Sequence, residues 1–287
     1  LIKPNNSTIN SISLSSISLN YASTYARIAE NTSILNNIPV NGVINLNLEY
    51  NSSDNSVETI NTGYPNIPVV KLDKNYGYAG GNNRAFNSLK EDKTEYVIFL
   101  NNDTIVDKNF IFPLIEPFLS NKNIYQTVPK IFYQKNPKLI WYAGGNVNLW
   151  TGKVSHKGIR KYDNEKYNLK SLTKYATGCC FCMRYNDFKE IGGFDENFPM
   201  YSEDVDLSLT IRKQGNEVWY IPESIIWHKV SASIGGSFSL SKNMKKLRGL
   251  FLLFKKHANP FQYLSIILLS PFIILFQFVN LLFTIKK

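Results

Sequence analysis

An α/β architecture on a largely parallel central sheet is the fold class that this 287-residue chain predicts. Three observations lead there. Strand-like apolar runs alternate with helix-compatible segments through the first part of the chain, and that alternation implies right-handed crossovers between parallel strands. Hydrophobic residues make up 44% and aromatics 14% of the sequence, enough for a sizeable core in one large domain or two small ones and incompatible with wholesale disorder. Finally, the buried-strand pattern YVIFL (96–100) runs directly into Asn101, Asn102 and Asp103. Small polar side chains there occupy the carboxyl edge of a strand, where open α/β sheets bind ligands, although an Asx turn ends strands in the same way.

The elements follow in order. The opening residues are rich in Ser and Asn, and SISLSSISLNYAS alternates apolar and polar residues as a half-buried strand does. Leu1 rather than Met stands first, which reads as a fragment or a processed form, and no signal-peptide progression is present. GVINLNL is a second strand, followed by EYNSSDNS, where Asp54 or a neighbouring Ser caps a helix starting near SVETIN. IPVVKLD is a third strand. It leads into a glycine-rich turn, KNYGYAGGNN, and a helix around RAFNSLK. Residues 125–175 are less regular, and HKGIRKYDNEKYNLK within them reads as a solvated hairpin or loop. A helix stopped by Gly192 and Gly193 follows the apolar run after GCCFCMR. SEDVDLSLTIRKQG then has helical spacing, with Val205, Leu209 and Arg212 on one face and Gly215 at the C-cap.

The formal charge of +10, from 32 Lys and Arg against 22 Asp and Glu, calls for an anionic partner. The cations cluster in SKNMKKLRGLFLLFKKH (241–257), beside an apolar segment, which favours a membrane surface over nucleic acid. On a helix, Met244, Leu247, Leu250, Phe251 and Phe254 share one face, with Lys245, Lys246, Arg248, Lys255 and Lys256 placed to reach anionic headgroups. Ala258 to Ile285 carries no charged residue and is long enough to cross a bilayer. Pro271, Gln277 and Asn280 fit a kinked span or a re-entrant helix, and a buried core helix is the competing reading. The three cysteines lie together with no second cluster at zinc spacing, so buried reduced thiols in a reducing compartment are expected.

Four separated segments, NYGYAGGNN (75–83), LNND (100–103), SEDVD (202–206) and IWHK (226–229), carry polar groups suited to one task. Together they resemble the family 2 glycosyltransferases of GT-A fold, especially the rhamnosyltransferase-like members that build cell-surface polysaccharides. The resemblance covers about residues 65–230. It implies that Asn101, Asn102 and Asp103 form a DxD-like motif whose last carboxylate binds Mg2+ or Mn2+, with His228 completing the metal and diphosphate site; hard oxygen ligands suit these cations. Asp204, in the family's ED-x-D helix, corresponds to the general base of an inverting transfer. Glu203 is implied at the acceptor sugar with Gly178 and Cys179, and Asp206 in orienting the helix. Asn51, Asp54, Asn75, Gly80, Gly81 and Asn82 are implied on the donor side together with Asn101 and Asn102. Upstream the sequence departs from the pattern: LNYAS and LNLEYNSSDNS replace the usual strand ends, and Glu49 or Tyr50 stands where an Asp contacts the nucleobase.

The expectation is therefore a GT-A domain, a mixed central sheet flanked by helices, over residues 1–240, with a degenerate or truncated N-terminal strand region, and a basic amphipathic segment plus hydrophobic membrane-anchoring helix over 241–287. Such a protein moves a sugar, with inversion, from dTDP-rhamnose or a UDP-hexose to a glycan or lipid-linked acceptor at the cytoplasmic face of the cell membrane, without a nucleic-acid partner. The alternative is a catalytically inactive GT-A-like binding or scaffold subunit.

Overall fold

A computed structural model describes residues 62, 69–89, 91, 94–198, 200–230 and 240–271, together with the backbone of 12–15 and 43–48. Three expected strands, the helix after the glycine-rich segment and the strand YVIFL occur in the expected order. After β1 (Ile12–Ser15), β2 (Val43–Leu48) and β3 (Val69–Lys71) comes α1 (Gly77–Asn87), then β4 (Tyr96–Leu100), β5 (Thr104–Val106) and α2 (Ile111–Ser120). A β-rich middle contains β6 (Ile124–Tyr133), β7 (Asn136–Tyr142), β8 (Gly145–Asn148), β9 (Lys153–His156), β10 (Lys161–Tyr162) and β11 (Ser171–Leu172). Then β12 (Cys180–Arg184), α3 (Tyr185–Ile191), α4 (Glu203–Lys213) and β13 (Glu217–His228) lead to α5 (Leu240–His257) and a further helical stretch, 260–271.

The sheet is mixed. β3, β2, β1 and β4 run parallel, while β12 pairs antiparallel with β4 and with β6. β13 lies parallel along β6 and takes the short strands β5 and β11 antiparallel. Every residue of β4 is buried, as its unbroken apolar run requires of a central strand. The β4–β12 register sets Phe99 opposite Phe181, their rings stacked at 4.7 Å, and Phe188 and Phe194 close around Phe99 at 4.7 and 5.3 Å. Each such ring contributes roughly 1.5–3 kcal/mol by leaving water. The three cysteines are free thiols buried at the start of β12, where desolvation pushes each of them up.

The glycine-rich segment departs from its expected form. The turn is confined to Asn75–Gly77, where Asn75 Oδ1 accepts from the Gly77 N–H at 2.8 Å and Gly77 takes φ +69; Gly80, Gly81 and Asn82 lie inside α1. Glycine costs a helix interior about 1 kcal/mol, and packing explains its use here. A Cβ on Gly80 would stand 2.9 Å from Tyr76 Cβ and 3.1 Å from both Arg84 Nη1 and Glu196 Oε2. The same face binds the loop after α3: the Asn83 amide donates to Phe194 O at 2.8 Å and accepts from Phe194 N at 2.9 Å, and Arg84 pairs with Glu196 at 3.0 Å.

HKGIRKYDNEKYNLK is also more than a solvated loop, because β10 pairs with β7 and Asp163 holds a buried lysine. Lys130, on β6 and only 2% exposed, donates to Asp163 at 2.9 Å and to Asn168. A buried ammonium needs such partners, since its desolvation costs several kcal/mol. The Gly215 cap is as expected: with φ +88 it donates to Arg212 O, and Asn216 donates to Ile211 O, the paired bonds of a Schellman ending.

The expected membrane face of α5 is corrected at Phe254, which is buried, whereas Met244 and Phe251 of that face are exposed. Leu253 and Phe254 are 0% and 4% exposed within the core, and Lys256 is held by Asp195 and Asp206 at 2.8 and 2.9 Å. Met244, Lys245, Lys246, Arg248, Phe251 and Lys255 remain exposed, as does part of Lys256. α5 crosses the domain at Gly249, where a Cβ would lie 2.5 Å from Tyr201 O. Among the described residues no helix is long and apolar enough to cross a membrane. The part of the hydrophobic segment past residue 271, the helix expected near SVETIN and the upstream positions Glu49, Tyr50, Asn51 and Asp54 fall outside the described residues.

Candidate active site

Three strand ends meet at one edge of the sheet. β4 stops at Leu100, opposite Cys180 at the start of antiparallel β12, and the Asn101 N–H donates to Cys179 O at 2.9 Å. The chain turns through Asn101–Asp103 into β5, which pairs with the end of β13 so that Thr104 faces His228. That register draws Asp103 and His228 together across 125 residues of sequence: Lys229 N donates to Asp103 O at 2.7 Å, and His228 Nε2 stands 3.1 Å from Asp103 Oδ1. Their side chains are 16% and 11% exposed, and the other ring nitrogen, Nδ1, is buried without a protein partner. Among the described residues these two donors are not joined by a third His, Cys, Asp or Glu into a larger cluster.

The acidic helix reaches the same edge through residues 176–179. Ser208 of α4 accepts from Ala176 N at 3.0 Å and donates to Gln126 at 2.8 Å, docking the helix beside β6. Tyr201 and Ser202 enter α4 in left-handed conformations, with φ +68 and +74, unfavourable for residues with a Cβ. Asp204, half-buried in the first turn, accepts from Gly178 N and from Val205 N, each at 2.8 Å. Burial raises its pKa against these bonds. The Cys179 thiol is raised by burial and by the Asp103 and Asp204 carboxylates; its carbonyl accepts from Asn101 N, beside Asp103, while the preceding Gly178 N–H donates to Asp204.

Glu203 is 8% exposed and its Oε2 has no hydrogen-bond partner. Desolvation first, then the Asp204 charge, push its carboxyl up to about 8 from an ordinary 4.5. Between those values the unfolded chain has released a proton that the folded protein keeps, so this group lowers stability progressively as pH rises through that window. Glu203→Gln is expected to remove that loss: the melting temperature of the wild type should drop more from pH 5 to pH 8 than that of the variant, about 2–4 °C for each kcal/mol recovered. Parallel curves would show that the Glu203 carboxyl ionises normally.

The remaining expected residues divide by location. Gly178, Cys179, Asn101 and Asn102 lie at this edge, whereas Gly80, Gly81 and Asn82 are buried in α1, with Asn82 Nδ2 donating to Tyr78 O at 2.8 Å and its Oδ1 left without a partner. Asp206 faces the other way. It accepts from Lys256 at 2.9 Å and stands 2.7 Å from His257 Nε2, fastening α5 to α4. Sequence reasoning missed Trp141 and His156. The Trp141 ring packs edge-on against both His156 and His228 at 4.5 Å, and burial lowers the His156 pKa to about 4. Their only sequence signal was an aromatic pair in the irregular middle segment.

A mixed sheet flanked by helices, with an acidic turn after a central strand and a second acidic helix at the same edge, is the GT-A class of nucleotide-sugar transferase fold. Residues 50–192 match glycosyl transferase family 2, and the chain belongs to that family. Rhamnosyltransferase WbbL of Escherichia coli (strain K12) is 27% identical over 155 residues, covering 51% of this chain and 58% of that protein. The chain spans about half the length of the curated relatives it matches. GalNAc-T7, solved with UDP, GalNAc and Mn2+, superposes with TM-score 0.63 at 18% identity, over 88% of this chain and 48% of its own. The mannosyltransferase PcManGT from Pyrobaculum calidifontis, solved with GDP-Man and Mn2+, gives TM-score 0.53 at 11% identity, over 91% of this chain and 73% of its own. At these identities the likeness to both structures is one of fold.

Proposed function

We propose that this protein is a metal-dependent, inverting glycosyltransferase that moves a sugar from a nucleoside-diphosphate donor to a glycan or lipid-linked acceptor in cell-surface polysaccharide synthesis. The observation that carries the reading is the meeting of the Asp103–His228 pair and the Asp204 carboxylate at one sheet edge. The polysaccharide role is supported by a relative named poly-beta-1,6-N-acetyl-D-glucosamine synthase, and the rhamnosyltransferase WbbL points to dTDP-rhamnose as the first donor to try, with UDP-hexoses next.

Asp103 and His228 fit a divalent cation. Their facing oxygen and nitrogen suit Mn2+, and also Mg2+ through the carboxylate, with diphosphate oxygens and water left to fill the coordination shell. A bound cation would supply charge stabilisation for the departing diphosphate. The chain's own residues do the rest. Asn101 and Asn102 border the donor, Asp204 takes the proton of the attacking hydroxyl, and the Gly178 and Val205 N–H groups hold its carboxylate in one orientation. A single acid in that role predicts inversion. Proton NMR of the first sugar released should show the opposite anomer to the donor, and retained configuration would rule the mechanism out.

Membrane attachment belongs to the same reading, with a revised surface. Phe261, Leu264, Ile267 and Leu268 are 75%, 54%, 44% and 63% exposed on the 260–271 helix, and Arg248 and Lys255 are exposed on α5. Cations near an anionic surface contribute about 1 kcal/mol each. The same helix also packs on the domain, since Ile266 is buried beside Gly152 and Ser265 donates to Trp150 O at 2.9 Å. Replacing Phe261, Leu264 and Leu268 together by Ser spares those contacts and is expected to weaken co-sedimentation with phosphatidylglycerol vesicles at least tenfold, given about 0.8 kcal/mol per buried methylene. Undiminished sedimentation would remove this face from the membrane surface.

A further inference from the structure

The side of α1 facing the acidic helix contains a group that the proposed chemistry has not used. The Tyr78 hydroxyl donates to Gly178 O at 2.7 Å, and the N–H of the same Gly178 donates to Asp204 Oδ2 at 2.8 Å. We infer that Tyr78 is a positioning residue for Asp204: its hydroxyl fixes the Gly178 backbone, and that backbone aims the carboxylate that serves as base. The inference rests on the reading of Asp204 given above and names a further participant in the same site.

Several features show that this relay is built rather than incidental. A Cβ at position 178 would crowd the Tyr78 hydroxyl at 3.0 Å, whereas Asp204 Cβ at 3.5 Å would be in ordinary contact, so the bare backbone of Gly178 favours the approach of the tyrosine. The tyrosine ring is held by edge-on packing against Phe194 at 5.4 Å. The phenol also stays a neutral donor, since burial and the neighbouring Glu203 and Asp204 carboxylates push its pKa well above the ordinary value. On the far side of Asp204, Val205 N fixes the second oxygen. The carboxylate is thus held at both oxygens by backbone, and only the Gly178 side depends on a side chain from another element. Tyr78 comes from α1 and Gly178 from the segment before β12, so the hydroxyl also ties these two elements together.

A group that acts through the base must lose its effect when the base is gone, whereas a packing role costs the same in either background. The test is a double-mutant cycle of Tyr78→Phe and Asp204→Asn, read as release of nucleoside diphosphate from dTDP-rhamnose or UDP-glucose, with melting temperatures measured alongside. Tyr78→Phe keeps the ring and deletes the hydroxyl. In the wild-type background it is expected to lower kcat about ten- to a hundredfold, the scale set by small misplacements of catalytic groups, with donor KM unchanged. In the Asp204→Asn background the further loss should be less than about twofold. Equal losses in both backgrounds, an effect confined to KM or melting temperature, or an unchanged kcat would overturn the inference while leaving the assignment of Asp204 intact. If instead Asp204→Asn alone keeps near-normal turnover, the base lies elsewhere and both readings fall.

Discussion

Asp204→Asn is expected to lower turnover by about two to four powers of ten while donor KM changes little. The substitution keeps the shape and removes the proton acceptor. It also carries a structural cost that must be separated from the catalytic one. Both Asp204 oxygens accept backbone N–H groups, from Gly178 and Val205, and an amide offers only one accepting oxygen, so one of these bonds is lost. Bonds to a charged acceptor are worth about 1.5–3 kcal/mol, which lowers the melting temperature by several degrees without unfolding the protein at 25 °C. The pH profile gives a second readout. Burial raises the Asp204 pKa, and the base works only when ionised, so the acid limb of kcat should lie above the ordinary carboxylate range and disappear in the variant. Near-normal turnover in Asp204→Asn would move the base to another residue.

Asp103→Ala is expected to abolish turnover with no rescue by added Mn2+, whereas the wild type should lose activity in EDTA and regain it with Mn2+ or Mg2+. With only the facing pair Asp103 and His228 to hold the cation among the described residues, removal of the carboxylate leaves a lone imidazole, too weak a site for a hard cation. His228→Ala keeps the carboxylate. It should raise the metal concentration needed for half-maximal activity rather than eliminate turnover. Full activity in chelator would sink the metal assignment.

The parts of this architecture legible in sequence were those decided locally. YVIFL and the polar stop after it could be read because strand burial and its end are written in adjacent residues, and the cap at Gly215 because a left-handed ending selects glycine. The approach of LNND, SEDVD and IWHK to one edge follows from which strand ends face together, whereas most of NYGYAGGNN lies inside α1. What failed was decided by distant partners. GYAGG reads as a turn by propensity, yet Glu196, more than a hundred residues away, supplies the packing that makes Gly80 useful in a helix. The helical period of α5 identified an apolar stripe without saying what covers it. Phe254 of that stripe turned out to face the domain, and Lys256 and His257 to bind Asp206, a pairing that nothing in the basic segment itself announces. Tyr78 escaped notice for the same reason: its partner is a backbone oxygen a hundred positions away.

The account's central claim is that Asp103, His228 and Asp204 make one working site for a sugar nucleotide. A panel of dTDP-rhamnose and UDP-hexoses, each incubated with the wild-type protein and Mn2+ and scored for nucleoside diphosphate release, tests it most directly. The account predicts release from at least one donor, dependent on Mn2+ or Mg2+ and lost in both Asp103→Ala and Asp204→Asn. Release from no donor, by a folded protein that nonetheless binds one of them, would contradict catalysis and leave the fold serving as a binding subunit.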